Sequence, residues 1–78
     1  MRALVQRVDR AKVTVAGQVT GEIGRGLAVF VGVTPDDRDL DADWLARGVA
    51  GLRAFGEGDR PMHLDVRQIG GGALVVPQ

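Results

Sequence analysis

The side chains that could carry out catalysis are few. The 78-residue sequence has no serine, cysteine, tyrosine or asparagine, so the nucleophiles of the usual serine and cysteine triads are excluded. The remaining hydroxyl nucleophiles are Thr14, Thr20 and Thr34. His63 is the only side chain whose ordinary pKa lies near neutrality. Because it alternates with Met62 and Leu64, we expect His63 on the wetter face of a strand, as an ordinary surface residue.

Metal binding is also poorly supported. A single histidine without any cysteine does not make a zinc site. An acidic cluster could hold a hard cation, but it lacks the central glycine and closing glutamate of a calcium loop. We favour the start of a helix, where carboxylates cap the first turn and complement its dipole. The cluster comprises Asp36, Asp37, Asp39, Asp41 and Asp43. We predict no metal and no cofactor.

Two features could contact phosphate. The first twelve residues carry Arg2, Arg7, Arg10 and Lys12 against Asp9 alone, and glycine-rich segments occur at 24–26 and 70–72. Ten basic and ten acidic side chains give a formal net charge of zero, so the overall field does not indicate a nucleic-acid binder. A solvated basic surface and two turns are the interpretations we favour, because neither glycine segment precedes a convincing helix.

The hydrophobic pattern predicts an α+β fold that would position these residues. Segment 3–8 is predicted to be a strand, and 12–23 a β-hairpin turning at Ala16-Gly17-Gln18. The run 27–33 is apolar without alternation, as expected of a central strand covered on both faces. Helical spacing follows from about 39 to 54, with glycines at 48 and 51 that we attribute to close approach to a sheet. Strands are predicted at 62–66 and 73–76. We therefore expect a mainly antiparallel or mixed sheet with a hairpin and one amphipathic helix packed on it.

Length and composition limit the class of protein. Residues 1–78 allow one domain, and its core is marginal without disulfides or metal, so oligomerisation is the expected support. No apolar run approaches a membrane span, and the first residues do not form a signal peptide, which predicts a cytoplasmic location. The sequence stops two residues after an apolar strand, from which we expect a truncated domain.

The order of short segments resembles the amino-terminal half of the D-aminoacyl-tRNA deacylase (D-tyrosyl-tRNA deacylase) family. Each segment alone is weak, but six in the right order with the right gaps cover the whole chain. They are 1–8 with 11–15, 21–27, 41–46, 52–55, 66–71 and 74–78. The last, Leu74-Val75-Val76-Pro77-Gln78, resembles the strand that leads into the family's Ser-Gln-x-x-Thr motif.

The resemblance implies a homodimeric, cytoplasmic hydrolase that acts in chiral proofreading. It would cleave the ester between a D-amino acid, or glycine, and the 3′ end of tRNA. The family is thought to rely on main-chain groups and the terminal ribose hydroxyl. Gln78 would then be the catalytic residue at the substrate carbonyl. Arg7 and Pro77 would be substrate-binding residues, Arg7 by supporting the family's Gly-cisPro chirality filter.

Two departures from the family pattern support an alternative. Pro77 stands where the motif has serine, and the residues after Gln78, with the Gly-cisPro element, are not in this sequence. The chain alone would then be a catalytically inactive fragment or a dimerisation module. Its apolar last strand would tend to pair through its edge.

Overall fold

A three-stranded mixed sheet forms the centre of the computed structural model, which describes residues 1–78. Strand β4 (Gly26–Gly32) lies between β1 (Arg2–Val8), which is antiparallel to it, and β7 (Gly72–Pro77), which is parallel. Leu27, Ala28 and Val29 of β4 are all buried. The uninterrupted apolar run therefore predicted the central strand correctly, because β4 is flanked on both edges and covered on both faces there.

The predicted hairpin is formed by β2 (Ala11–Val15) and β3 (Gln18–Ile23). Its two-residue loop has Ala16 at φ 52° and Gly17 at φ 81°, both in the left-handed region. Two such residues are the signature of a type I′ turn, whose twist matches the twist of paired strands. The hairpin packs against β7, since a Cβ added to Gly21 would lie 2.7 Å from Leu74 Cδ1.

Helix α1 spans Asp39–Ala50, four residues shorter than the predicted 39–54. It begins with a capping box in which Asp41 accepts a hydrogen bond from the backbone N–H of Arg38 at 2.9 Å. It ends because Gly51 is the C-cap and the following residues turn inward to bury Ala54 and Phe55. The expectation of close sheet contact at Gly48 is wrong, because open space surrounds that position.

A second small hairpin is formed by β5 (Phe55–Glu57) and β6 (Arg60–Leu64), and the sequence analysis predicted no strand before residue 62 in this segment. The predicted strand 62–66 is therefore displaced toward the amino terminus. Its alternation fails at Met62, which has φ 54° and is 62% exposed. His63 is half-buried, with Nε2 3.2 Å from an Arg60 guanidinium nitrogen and 3.9 Å from Glu57 Oε2.

The core is concentrated at one end of β4. Its buried cluster consists of Leu27, Val29, Ala54, Phe55 and Val66. The turn that carries Val66 is held by Asp65, which accepts backbone hydrogen bonds from Arg67 and Gln68, both at 3.0 Å. We call this region the closed end of the sheet, defined by Gly26–Val29 and the residues that cover them.

The other end of β4 is poorly covered. We call it the open end, defined by Phe30–Gly32 with their neighbours on β1 and after β7, among which Leu4 is 70% exposed. α1 has no buried residue, and an apolar groove of about 380 Å³ separates it from β4 and β7. Val75, which lines this groove, is 58% exposed. The α+β prediction is confirmed, but much of its apolar surface is left bare.

Candidate functional site

Gln78 lies at the open end. Its backbone N–H donates to Val31 O at 2.8 Å, which continues the parallel β4–β7 ladder by one residue. Gln78 lines a shallow depression of about 450 Å³ together with Arg2, Leu4, Phe30 and Gly32. The residue predicted to be catalytic therefore has a fixed main chain beside a mostly apolar surface that carries one cation.

Pro77 is the last residue of β7 and pairs with Val31. Because the next residue, Gln78, donates toward β4, the nitrogen of Pro77 faces the opposite, unpaired edge of β7. Proline is tolerated in strands at such edge positions, where no ladder hydrogen bond is lost. The replacement of the expected serine thus leaves β4–β7 pairing intact and removes a donor only from the outer edge.

Arg7 lies at the closed end. It pairs with Leu27 across β1 and β4, and a guanidinium nitrogen donates to Ala54 O at 2.8 Å. With Val8, Asp9 and Arg25 it lines a polar hollow of about 450 Å³. The arginine predicted to support the chirality filter is here bound to the segment that follows α1.

Pro77 and Gln78 are adjacent, but Arg7 is not brought to them within the chain. Along β4, Leu27 beside Arg7 and Gly32 beside Gln78 are five residues apart. That is roughly 16 Å at the usual rise of a strand. Strand alternation also puts Arg7 and Gln78 on opposite faces of the sheet. Arg7 and Gln78 of one chain therefore do not line the same cavity.

Two aspartates of the acidic cluster, Asp37 and Asp41, have structural partners. Asp37 accepts from the Met1 ammonium at 2.6 Å and from the Thr34 amide at 2.8 Å, and these two hydrogen bonds lower its pKa from the ordinary 3.8. Asp41 caps α1, as the sequence analysis favoured. No three His, Asp or Glu side chains are arranged to hold a metal ion. None of the chain's helices is both long and apolar enough to cross a bilayer.

Comparison with known proteins decides the family. The family model of D-Tyr-tRNA(Tyr) deacylase matches residues 4–78, nearly the whole chain. The chain belongs to the D-Tyr-tRNA(Tyr) deacylase family. All 78 residues align with D-aminoacyl-tRNA deacylases, at 50% identity for Syntrophobacter fumaroxidans and 54% for both Escherichia coli O81 and Thermotoga petrophila.

A solved structure supports the same fold. The c-Myc DNA Unwinding Element Binding Protein superimposes on the whole chain with a TM-score of 0.92 and 34% identity. The chain covers 53% of that structure and between 52% and 54% of the three deacylases. It therefore spans about half the length of the relatives that it matches.

Two features of this deacylase-family chain were missed from the sequence. Arg25 appeared only as part of a Gly-Arg-Gly turn, yet its guanidinium carbon lies 5.3 Å from the ring centroid of Phe55. Arg2 and Phe30 were not associated with Gln78, although all three line one depression. Neither grouping has a local sequence signal, since its members come from distant segments.

Proposed function

We propose that the protein acts as a D-aminoacyl-tRNA deacylase, hydrolysing the ester between a D-amino acid or glycine and the 3′ end of tRNA. The observation that carries this proposal is the alignment of all 78 residues, at 50–54% identity, with proteins named D-aminoacyl-tRNA deacylase. In this proposal the protein works in the cytoplasm as a homodimer, and its activity serves chiral proofreading.

The chemistry would depend on hydrogen-bond donors more than on a side-chain nucleophile. Donors aimed at the oxygen that becomes negative in the transition state can supply large rate gains. Gln78 is proposed as one such donor, because its side-chain amide carries two N–H groups and its main chain is fixed by Val31 O. Pro77 would position Gln78, and Arg7 would support the element that rejects L-amino acids.

The remaining groups of the site are proposed to come from additional polypeptide. The named relatives have about twice the length matched here, and Arg7 lies far from Gln78 within one copy. A second copy, or the polypeptide equivalent to the rest of a relative, would bring further donors to the open end. The apolar groove beside α1 offers the surface for such packing.

A second candidate function is that of a non-catalytic packing or dimerisation module. The specific observation in its favour is the combination of an unpaired outer edge on β7 with the bare apolar groove. Such surfaces are typical of interaction sites. This candidate predicts association without hydrolysis.

Hydrolysis of D-aminoacyl-tRNA, with the L-aminoacyl form as control, separates the two candidates. The chain is assayed alone and with the polypeptide equivalent to the second half of the Escherichia coli O81 relative. D-selective release that is lost in Gln78→Ala and retained in Gln18→Ala would support the deacylase. Gln18 is a matched control because it is an exposed glutamine in the β2–β3 hairpin.

The opposite result is equally informative. If the folded chain and its complemented form release neither amino acid, while sedimentation shows stable association, the protein is a packing module. Equal release of the D and L forms would reject chiral proofreading but leave ester hydrolysis in place.

A further inference from the structure

The polar hollow at the closed end contains Arg7, which the proposed deacylase site uses, but that site gives no role to Arg25 or to the hollow itself. It is lined by Arg7, Val8, Asp9 and Arg25, and has a volume of about 450 Å³. Its walls come from the end of β1 and from the turn between β3 and β4. Arg25 therefore enters it from a different segment from Arg7 and Asp9.

Arg25 is held at both its main chain and its side chain. Its carbonyl oxygen accepts a hydrogen bond from Gly72 N at 3.1 Å, which ties the β3–β4 turn to the start of β7. Its guanidinium covers the ring of Phe55, a side chain that is 0% exposed. This cation–π contact favours the position of the guanidinium over the ring.

Arg7 is anchored on the neighbouring residue. One of its guanidinium nitrogens donates to Ala54 O, and most of its five N–H groups remain available. Two guanidinium groups are thus positioned by the consecutive residues Ala54 and Phe55. The planar fork of arginine suits the oxygen atoms of phosphate, which it can bind through two parallel hydrogen bonds.

The charge of the hollow is not neutralised within the chain. Neither Arg7 nor Arg25 has a carboxylate within 4.0 Å; the ion pairs of the structure involve Asp37, Glu57 and Asp65 instead. Asp9 offsets one of the two positive charges, so the lining retains one net positive charge. An anion bound in the hollow would be attracted by both guanidinium groups.

The nearby glycine segment supplies no additional donors. The amides of Gly70, Gly71 and Gly72 donate to Arg67, Val66 and Arg25 carbonyls respectively. Segment 70–72 is therefore a turn, as the sequence analysis favoured, and side chains alone would contact a ligand here.

We propose that this hollow binds a backbone phosphate of single-stranded RNA, with Arg25 as the principal contact and Arg7 as the second. The RNA would be a single-stranded part of the tRNA near its 3′ end, and this identity rests on the proposed function. Phosphate binding itself does not depend on hydrolysis, so RNA that carries no amino acid is a sufficient probe. Asp9 opposes the phosphate and limits its affinity.

The test measures binding of a labelled, unacylated single-stranded RNA ending in CCA by fluorescence anisotropy over a series of salt concentrations. Loss of one phosphate contact on single-stranded nucleic acid reduces the slope of log K against log salt by about 0.7. Arg25→Gln is expected to show that reduction. The matched control Arg47→Gln, on the exposed surface of α1, is expected to leave the slope unchanged.

Two further variants separate charge from structural damage. Arg25→Lys keeps the positive charge and is expected to restore the salt slope even if it loses the bidentate geometry. Asp9→Asn removes the opposing carboxylate and is expected to tighten RNA binding, whereas Asp59→Asn, in the β5–β6 turn and outside the lining of the hollow, is not. A merely structural role for the hollow would not produce tighter binding in Asp9→Asn.

Several results would overturn the proposal. These are equal slopes for Arg25→Gln and Arg47→Gln, or unchanged or weaker binding by Asp9→Asn. Inorganic phosphate, followed by NMR shifts of the arginine side chains at constant ionic strength, tests the other source of the same chemistry. If Arg25→Gln abolishes those shifts but leaves RNA affinity intact, the hollow takes a free anion and the RNA assignment fails. Absence of hydrolysis with RNA binding intact would count only against the proposed function.

Discussion

The two ends of β4 are built from the same kind of apolar strand but differ in what covers them. At the closed end, Leu27 and Phe55 are both 0% exposed, and the surrounding turns are hydrogen-bonded to one another. At the open end, Phe30 is only half-buried and its neighbour Leu4 is 70% exposed. The comparison shows that residues 1–78 complete their own packing only where β1, β4 and the segment after α1 converge. Gln78 lies on the end that is not complete.

The two terminal glycines of β4 should give the largest contrast. A Cβ on Gly26 would overlap the Gly72 carbonyl oxygen, so Gly26→Ala has to push β7 away from β4. We expect a loss in the free energy of unfolding of at least about 4 kcal/mol, the range of severe single substitutions. Gly32→Ala meets no atom within 4 Å and is expected to change stability by no more than about 0.5 kcal/mol.

Urea denaturation followed by far-ultraviolet circular dichroism checks this pair. A folded Gly26→Ala of near wild-type stability would show that the strands separate easily at the closed end. The distinction between the two ends of β4 would then be wrong.

The two phenylalanines should give the next largest contrast. Phe55→Ala removes a fully buried ring from the core and is expected to cost about 3–5 kcal/mol. Phe30→Ala, at a half-buried position, is expected to cost less than half as much. If urea denaturation shows that both variants lose the same free energy of unfolding, Phe30 is covered in solution, for example by a second copy. Repeating the measurement over a range of protein concentrations distinguishes that case.

Acid should produce the smallest change in stability. We expect that change to come mainly from the turn at Asp65, at the closed end. The Arg67 guanidinium, followed by the Gln68 and Arg67 backbone amides, lowers the pKa of Asp65 from the ordinary 3.8. A lowered folded-state pKa contributes stability above pH 3.8 that is lost as the pH falls through the folded value. Asp65→Asn should therefore show a shallower loss of stability below pH 4 than the wild type.

Asp59→Asn is the matched control for this measurement, because Asp59 is an exposed aspartate in the β5–β6 turn. Denaturation midpoints measured from pH 6 downward should follow the wild type in that variant. Asp37 retains its own contribution at the other end of β4, so Asp65→Asn should keep part of the acid sensitivity. If the denaturation midpoint of Asp65→Asn falls with pH as steeply as that of the wild type, Asp65 does not stabilise the folded chain.

The elements that the sequence predicted correctly are those with a local signal. The apolar run 27–33 predicted β4, and the two-residue loop at Ala16 and Gly17 agrees with the predicted hairpin. Helical spacing located α1 but not its end, because the pattern continues to Ala54 while the core draws Ala54 and Phe55 inward. Strand β5, and with it the β5–β6 hairpin, was missed for a related reason. Phe55 is its only fully buried residue, and burial of a single side chain leaves no periodicity to detect.

The sequence selected residues for the candidate site but did not give their arrangement. The family resemblance selected Arg7, Pro77 and Gln78, and the family match supports the source of that choice. Their separation follows from the β1–β4–β7 register, which no local pattern contains. The contact between Arg25 and Phe55 joins residues thirty positions apart, so it required the folded chain to be seen.

The exposure of Trp44 has a spectroscopic consequence. It is the only tryptophan of the chain, it lies on α1, and it is 77% exposed, next to Leu40 at 71%. Its indole is already hydrated in the folded state, so its emission maximum should change little when the core at the closed end unfolds. Polypeptide that packs over the outer side of α1 would instead shift the emission to shorter wavelength. The fluorescence of Trp44 thus reports whether another polypeptide covers α1, but it changes little when the core of the chain unfolds.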